Sequence, residues 1–357
     1  MRSFSVNRRQ MTLGLLPVAL MASFPARGGQ LADGAATTPQ PLDATRRGAV
    51  VETLAKTLEQ HYVFPDVGER YATRLREQLQ RGAYDDLTDT AEFATRVTGD
   101  LQAIFPDRHL SMIPASRARQ RRPDPVDTPK SAQASGPRGL EEARMIGDVA
   151  YLRFNEFPGD TTPSQARSFL LAHADARAVV IDSRPNRGGR LDEMNAILPL
   201  LVARPTRLYR MEMRADAVPP FQATPMVHAV AGTAALQRWD HKILPDTTER
   251  RLQAAPVYYL ISRRTASAAE ALALGLKSSH RATLIGETTA GAGYFGGVFG
   301  VGDPALQAWI STGRTYDPKT GKDWEGQGIA PDVAVPVDDA LTVALDLARR
   351  AGAHPGS

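Results

Sequence analysis

The chain of 357 residues contains no cysteine. That absence excludes disulfides, a thiolate nucleophile, a cysteine metal site and a lipid-modified cysteine anchor. It fits an oxidising compartment without requiring one. Net charge is nearly absent too. The formal value is +4, and Arg2, Arg8 and Arg9 at the extreme N-terminus leave +1 if that end is removed. So small a charge gives no electrostatic reason to expect nucleic acid as a partner. No pattern pairs two histidines with a glutamate at metal-ligand spacing. Neither a metal nor a cofactor is expected.

Long apolar runs are missing as well. The longest, Leu13 to Ala22, is shorter than the about 20 residues needed to span a bilayer. It follows Arg8-Arg9-Gln10-Met11-Thr12. A basic start, a short apolar stretch and then small residues read as a signal peptide over residues 1–26. The paired arginines suggest the twin-arginine type, so the expected location is the periplasm or the exterior, with no stable membrane insertion after signal removal. The competing reading is a basic tail followed by a buried helix.

What is present is ordinary globular composition, 42% hydrophobic and 23% charged. Residues 27–43 are small and polar, a flexible leader. Residues 44–113 predict a small helical domain. Val50, Val51, Leu54, Leu58 and Tyr62 share one helical face, with Pro65 closing that helix. Two further helices are expected around Tyr71, Leu75 and Leu79, and around Phe93, Val97 and Leu101. Residues 114–142 carry five prolines among Arg117, Arg119, Arg121 and Arg122. They read as a solvated linker, since no aromatic residues interleave as in a phosphate-tracking surface.

Residues 143–351 predict an α/β core. Val149 to Phe154, Ala178 to Ile181, Val257 to Ile261 and Thr283 to Ile285 are short β-rich runs. Such runs fit strands buried on both faces of a largely parallel sheet. A helix over about 267–278 separates the last two, and a closing helix covers about 338–350.

Chemistry is expected at the turn between Ile261 and that first helix. Ser267 would stand where helical N–H groups and the positive helix end face outward. Its oxygen could attack a carbonyl, and the Ala268 N–H could receive the developing oxyanion. Equally, Ser267-Ala268-Ala269-Glu270 reads as a capping box with no catalytic role. Gly188-Gly189, after the strand ending at Asp182, could give a second oxyanion donor or simply a tight turn. A histidine could take the serine proton. Composition does not choose His109 over His61, His228, His241 or His280. Gly291-Ala292-Gly293-Tyr294-Phe295-Gly296 matches the dinucleotide fingerprint by letter. More glycines and Pro304 follow in place of a helix, so it reads as a glycine-rich loop lining a cleft.

Taken together these segments resemble the tail-specific (C-terminal processing) serine protease superfamily, on the branch similar to interphotoreceptor retinoid-binding protein and the tricorn protease core. The motifs run in family order: His61 to Asp66, Asp107 to Leu110, Gly147 to Leu152, Asp182 to Gly189, Thr265 to Glu270, Gly286 to Gly291 and Trp324 to Asp332. The resemblance implies Ser267 as nucleophile and His109 as base. Ala292 stands where another branch carries a lysine. The resemblance further implies Glu325 as an acid that orients the imidazole, and the N–H groups of Gly188 or Gly189 and of Ala268 as oxyanion donors. In the tricorn-like arrangement a serine precedes the histidine; here that residue is Arg108.

The implied architecture is a crotonase-like spiral α/β core with a small helical N-terminal domain and no PDZ domain. The implied activity is a serine peptidase acting on a peptide or protein. The rival implication is a non-catalytic periplasmic carrier of lipophilic ligands.

Overall fold

The computed structural model describes residues 41–115 and 138–351. The expected signal peptide, the expected leader up to residue 40 and most of the Pro/Arg-rich segment lie outside the described residues.

Three helices come first: α1 (Ala44–His61), α2 (Pro65–Gln80) and α3 (Thr90–Gln102). Asp43 and Asp89 begin α1 and α3 by accepting main-chain N–H groups of the first turn. Val50, Val51, Leu54, Leu58 and Tyr62 are all fully buried, as their spacing predicts. Pro65 differs from its expected part. The helix has already ended at His61, and Pro65 opens α2, where its missing N–H has no helical partner to lose.

The strand runs expected in the core are all present. β3 (Val149–Phe154), β4 (Ala178–Asp182), β8 (Val257–Ile261), β9 (Thr283–Gly286) and the short β12 (Val333–Ala334) are parallel neighbours, and β2 (Leu140–Ile146) adds an antiparallel edge. Helix α4 (Thr162–Ala172) links β3 to β4, and α6 (Ala268–Ser278) links β8 to β9. Both faces are covered. Val179 and Ile181 enter the cluster that includes α6, while Ala178 and Val180 meet α7 (Ala340–Ala351) through Ala340, Ala344 and Ala348. A short helix, α5 (Asp192–Ile197), follows the Gly188-Gly189 turn.

A second sheet was not anticipated. It runs β1 (Ser111–Pro114), β11 (Leu306–Tyr316), β5 (Thr206–Arg214), β7 (Leu236–Ile243) and β6 (Val227–Val230), all antiparallel, with β10 (Tyr294–Gly300) added on β11. Helices α1 to α3 pack on it, burying Leu54, Leu58 and Phe93 with Met112, Leu306 and Ile310. The glycine-rich segment expected as a loop is therefore strand from Tyr294 onward. A bulge at Phe295/Gly296 absorbs its irregular composition.

The mixed α/β fold with a helical N-terminal region agrees with the expectation. Among the described residues no helix is long and apolar enough to cross a membrane.

Candidate active site

In open parallel sheets, ligand sites form beyond the carboxyl ends of the strands. Three loops meet there: 183–189 after β4, 262–267 after β8 and 287–293 after β9. Main-chain and hydroxyl bonds stitch them together. Ala266 N–H donates to the Asn186 carbonyl at 3.0 Å, Ala290 N–H to the Thr265 carbonyl at 2.9 Å, and Thr265 Oγ1 to the Ser183 carbonyl at 2.7 Å.

Ser267 sits at the head of α6 with φ 54° and ψ −122°. A non-glycine residue held there stores about 1–3 kcal/mol of strain, which its surroundings must offset. Two features hold it. Its N–H donates to Glu270 Oε2 at 3.0 Å. Gly188 presses against it from behind. A Cβ on Gly188 would lie 2.7 Å from both the Ala266 oxygen and the Ala268 nitrogen, and 2.8 Å from Ser267 Cβ. Only glycine fits that approach, and Gly188 also has φ 89°.

The expected capping box is present between Ser267 and Glu270, yet Glu270 does far more than cap. It is fully buried and accepts from Ser267 N, Thr289 Oγ1 (2.5 Å), Gly291 N (2.7 Å) and Ala292 N (2.8 Å). Burial raises its pKa, and these donors oppose the rise. The N–H of Glu270 also donates to the Ser267 carbonyl at 2.8 Å.

The oxyanion candidates separate on their hydrogen bonds. The Gly188 N–H is committed to Asn186 Oδ1 at 2.8 Å. Gly189 bridges Phe157 in parallel register, using the Gly188 carbonyl and the Arg190 N–H, so the Gly189 N–H faces away from Phe157. Among the described residues, the N–H groups of Gly189 and Ala268 carry no hydrogen bond.

His109 lies on the loop between α3 and β1. Asp107 Oδ1 accepts its N–H at 2.8 Å and that of Leu110 at 3.0 Å, and Tyr62 donates its hydroxyl to Asp107 Oδ2. The imidazole stacks on Trp309, with ring centres 6.2 Å apart. Glu325 reaches this loop through the main chain. Its Oε1 accepts the Arg108 N–H at 2.6 Å, and its Oε2 accepts Gly293 N at 2.5 Å and Tyr294 N at 3.0 Å. Burial pushes the Glu325 carboxyl up to about 7, against the pull of these donors. Glu325 thus meets the His109 loop at the main chain of the neighbouring Arg108.

The other histidines are placed differently. Both ring nitrogens of His241 are engaged in the core, by the Tyr209 hydroxyl at 2.6 Å and Asn195 Oδ1 at 2.7 Å. His280 follows the far end of α6, about 16 Å along the axis from Ser267. His61 stacks on Phe299. His228 is on β6, remote from β11 in strand order. Sequence reasoning missed Asn186, which fixes Gly188 and Ala266 together, and the clamp made by Glu270, whose one visible signal was its capping-box spacing. Among the described residues, no group of three His, Asp or Glu side chains could hold a metal ion.

Comparison with known proteins places the chain in a family. Residues 148–335 match the model of peptidase family S41, and residues 44–147 match the N-terminal domain of Peptidase_S41 in eukaryotic IRBP. A carboxyl-terminal-processing protease of Synechocystis sp. is 28% identical over 221 residues, covering 58% of this chain and 45% of that protein. The chain thus spans less than half the length of that relative. Among solved structures, the photosystem II D1 C-terminal processing protease superposes with a TM-score of 0.53 at 16% identity, covering 85% of this chain and 96% of the other. The tricorn protease gives a TM-score of 0.52 at 12% identity, over 85% of this chain and 37% of the other. At such identities the likeness to the solved structures is one of fold.

Proposed function

Since the chain belongs to peptidase family S41, we propose that it is an exported serine peptidase that cleaves peptide bonds through an acyl-enzyme on Ser267. The observation that carries the reading is the strained Ser267 turn at the head of α6, backed by Gly188 and flanked by the unengaged N–H groups of Ala268 and Gly189. A nucleophile needs such exposure at a helix N-terminus, and a mere helix cap does not need the strain.

In this reading Ser267 Oγ attacks the peptide carbonyl while His109 takes its proton. The oxyanion rests on the N–H groups of Ala268 and Gly189. Collapse of the tetrahedral intermediate expels the amine, which takes the proton back from His109. Water, deprotonated by His109, then releases the acyl group. Glu325 is assigned a positioning part, setting the His109 loop through the Arg108 N–H. Gly188 supplies space and not a donor. Export rests on the basic, apolar N-terminus, and the substrate class on the family.

Hydrolysis of an unfolded protein such as casein tests the reading. Wild type should cleave it, and Ser267→Ala should not. Failure of both to cleave, combined with tight binding of a fluorescent lipid, would favour the carrier instead.

A further inference from the structure

The glycine-rich run after Ala292 takes no part in the proposed chemistry, and only some of its glycines are explained by packing. A Cβ on Gly293 would press on Trp324 and the Glu325 nitrogen at 3.2 Å. A Cβ on Gly296 would lie 1.9 Å from the Ile310 oxygen. Gly297 and Gly300 are different. A Cβ at either would meet nothing within 4 Å, and neither has a positive φ. Their fold does not require glycine there, and glycine weakens a strand interior. Glycine without an internal reason marks a place where another backbone comes close.

These two residues lie on β10, whose inner edge pairs with β11. Among the described residues its outer edge pairs with no strand. Tyr294–Gly300 holds no charged residue and no proline, and Val298 is 45% exposed. Exposed edges are normally guarded by charge, proline or a covering element, because a bare edge recruits another strand. This one is also continuous with the candidate site. Tyr294 opens β10, and its N–H and that of Gly293 are held by Glu325. The adjacent Ala292 N–H is held by Glu270, which also holds the Ser267 N–H. The strand's seven residues extend about 23 Å from that anchored point.

We infer that the outer edge of β10 is a docking rail for an extended polypeptide substrate, added as a further strand and read through its main chain. The missing side chains at Gly297 and Gly300 leave room for cross-strand side chains of any kind. Recognition of this type is tolerant of sequence and requires the substrate to be unfolded where it binds. The inference rests on the peptidase reading, since it takes the docked strand to be the substrate.

The test uses the full chain carrying Ser267→Ala and fluorescein-labelled casein as the unfolded probe, with binding followed by anisotropy. Adding Gly297→Val should weaken casein binding about tenfold while leaving the melting temperature unchanged or raised, since valine favours a strand. Gly300→Val is the second variant, should the first fold poorly. A glycine with a purely structural part would show a fall in stability in place of this opposite pair of signs. Unchanged binding in folded variants would overturn the inference, as would absence of casein binding by the parent. Loss of a dimer in the variants without loss of casein binding would overturn it too, by giving the edge to a second copy. Fluorophosphonate labelling of the wild-type chain separates the two claims. Labelling with unchanged variant binding sinks the rail alone, and no labelling sinks the peptidase reading itself.

Discussion

Glu270 and Glu325 hold adjacent residues of one loop. The Ala292 N–H donates to Glu270 Oε2 at 2.8 Å, and the Gly293 N–H donates to Glu325 Oε2 at 2.5 Å. From that shared loop each carboxylate reaches outward, Glu270 to the Ser267 N–H and Glu325 to the Arg108 N–H. Two segments far apart in sequence are thereby referred to one rigid point.

All four hydrogen-bond partners of Glu270 are donors. Glutamine would turn an NH2 group against at least one of them. Glu270→Gln should therefore cost about 2–3 kcal/mol, the penalty for buried donors left unmatched, measured by urea unfolding. Peptidase activity should fall with it.

Ser267→Gly should remove the positive-φ strain. Unfolding should show a gain of about 1 kcal/mol, and peptide hydrolysis should vanish. Stability and activity moving in opposite directions is the signature of a strained functional residue.

Gly188→Ala would place a methyl against the Ser267 turn from behind. The backbone must shift by a fraction of an ångström to an ångström, and displacement on that scale costs about 100-fold in rate. The expected result is a kcat/KM about 100-fold lower, with binding of casein little changed.

Buried groups give stability two opposing pH dependences. Burial holds His241 down to about 3. An imidazole kept neutral contributes stability that is whole above its unfolded pKa of about 6.5 and is lost as pH falls toward 3. His241→Gln should flatten that acid-side loss. Burial pushes Glu193 up to about 7 from an ordinary 4.5. Its share is whole below about 4.5 and is lost as pH rises toward 7. Glu193→Gln should flatten the decline between pH 5 and 8. Thermal unfolding across pH 4 to 8 checks both.

The parallel sheet was legible because strands buried on both faces leave continuous apolar runs, and helices α1 and α3 because their buried positions keep one face. The antiparallel sheet was not. β5 and β7 mix arginines and acids with apolar residues and β11 carries Arg314, since Arg210 pairs with Asp240, and Arg238 and Arg314 pair with Glu212, across the strands. Such ion pairs erase the alternation that marks a strand. At the site, Ser267 was visible as a cap-like serine after a buried strand. The clamp of Glu270 on the loop 289–292 was not, because a bond between positions 19 to 22 residues apart leaves no local pattern.

The central claim is that Ser267 is a nucleophile served by His109. The most direct measurement is the rate and site of fluorophosphonate labelling, read by mass spectrometry on wild type, Ser267→Ala and His109→Ala. The account predicts label on Ser267 alone, none on Ser267→Ala, and labelling at least about 100-fold slower in His109→Ala. Label on another residue, or a His109→Ala chain that reacts at the wild-type rate, would contradict it.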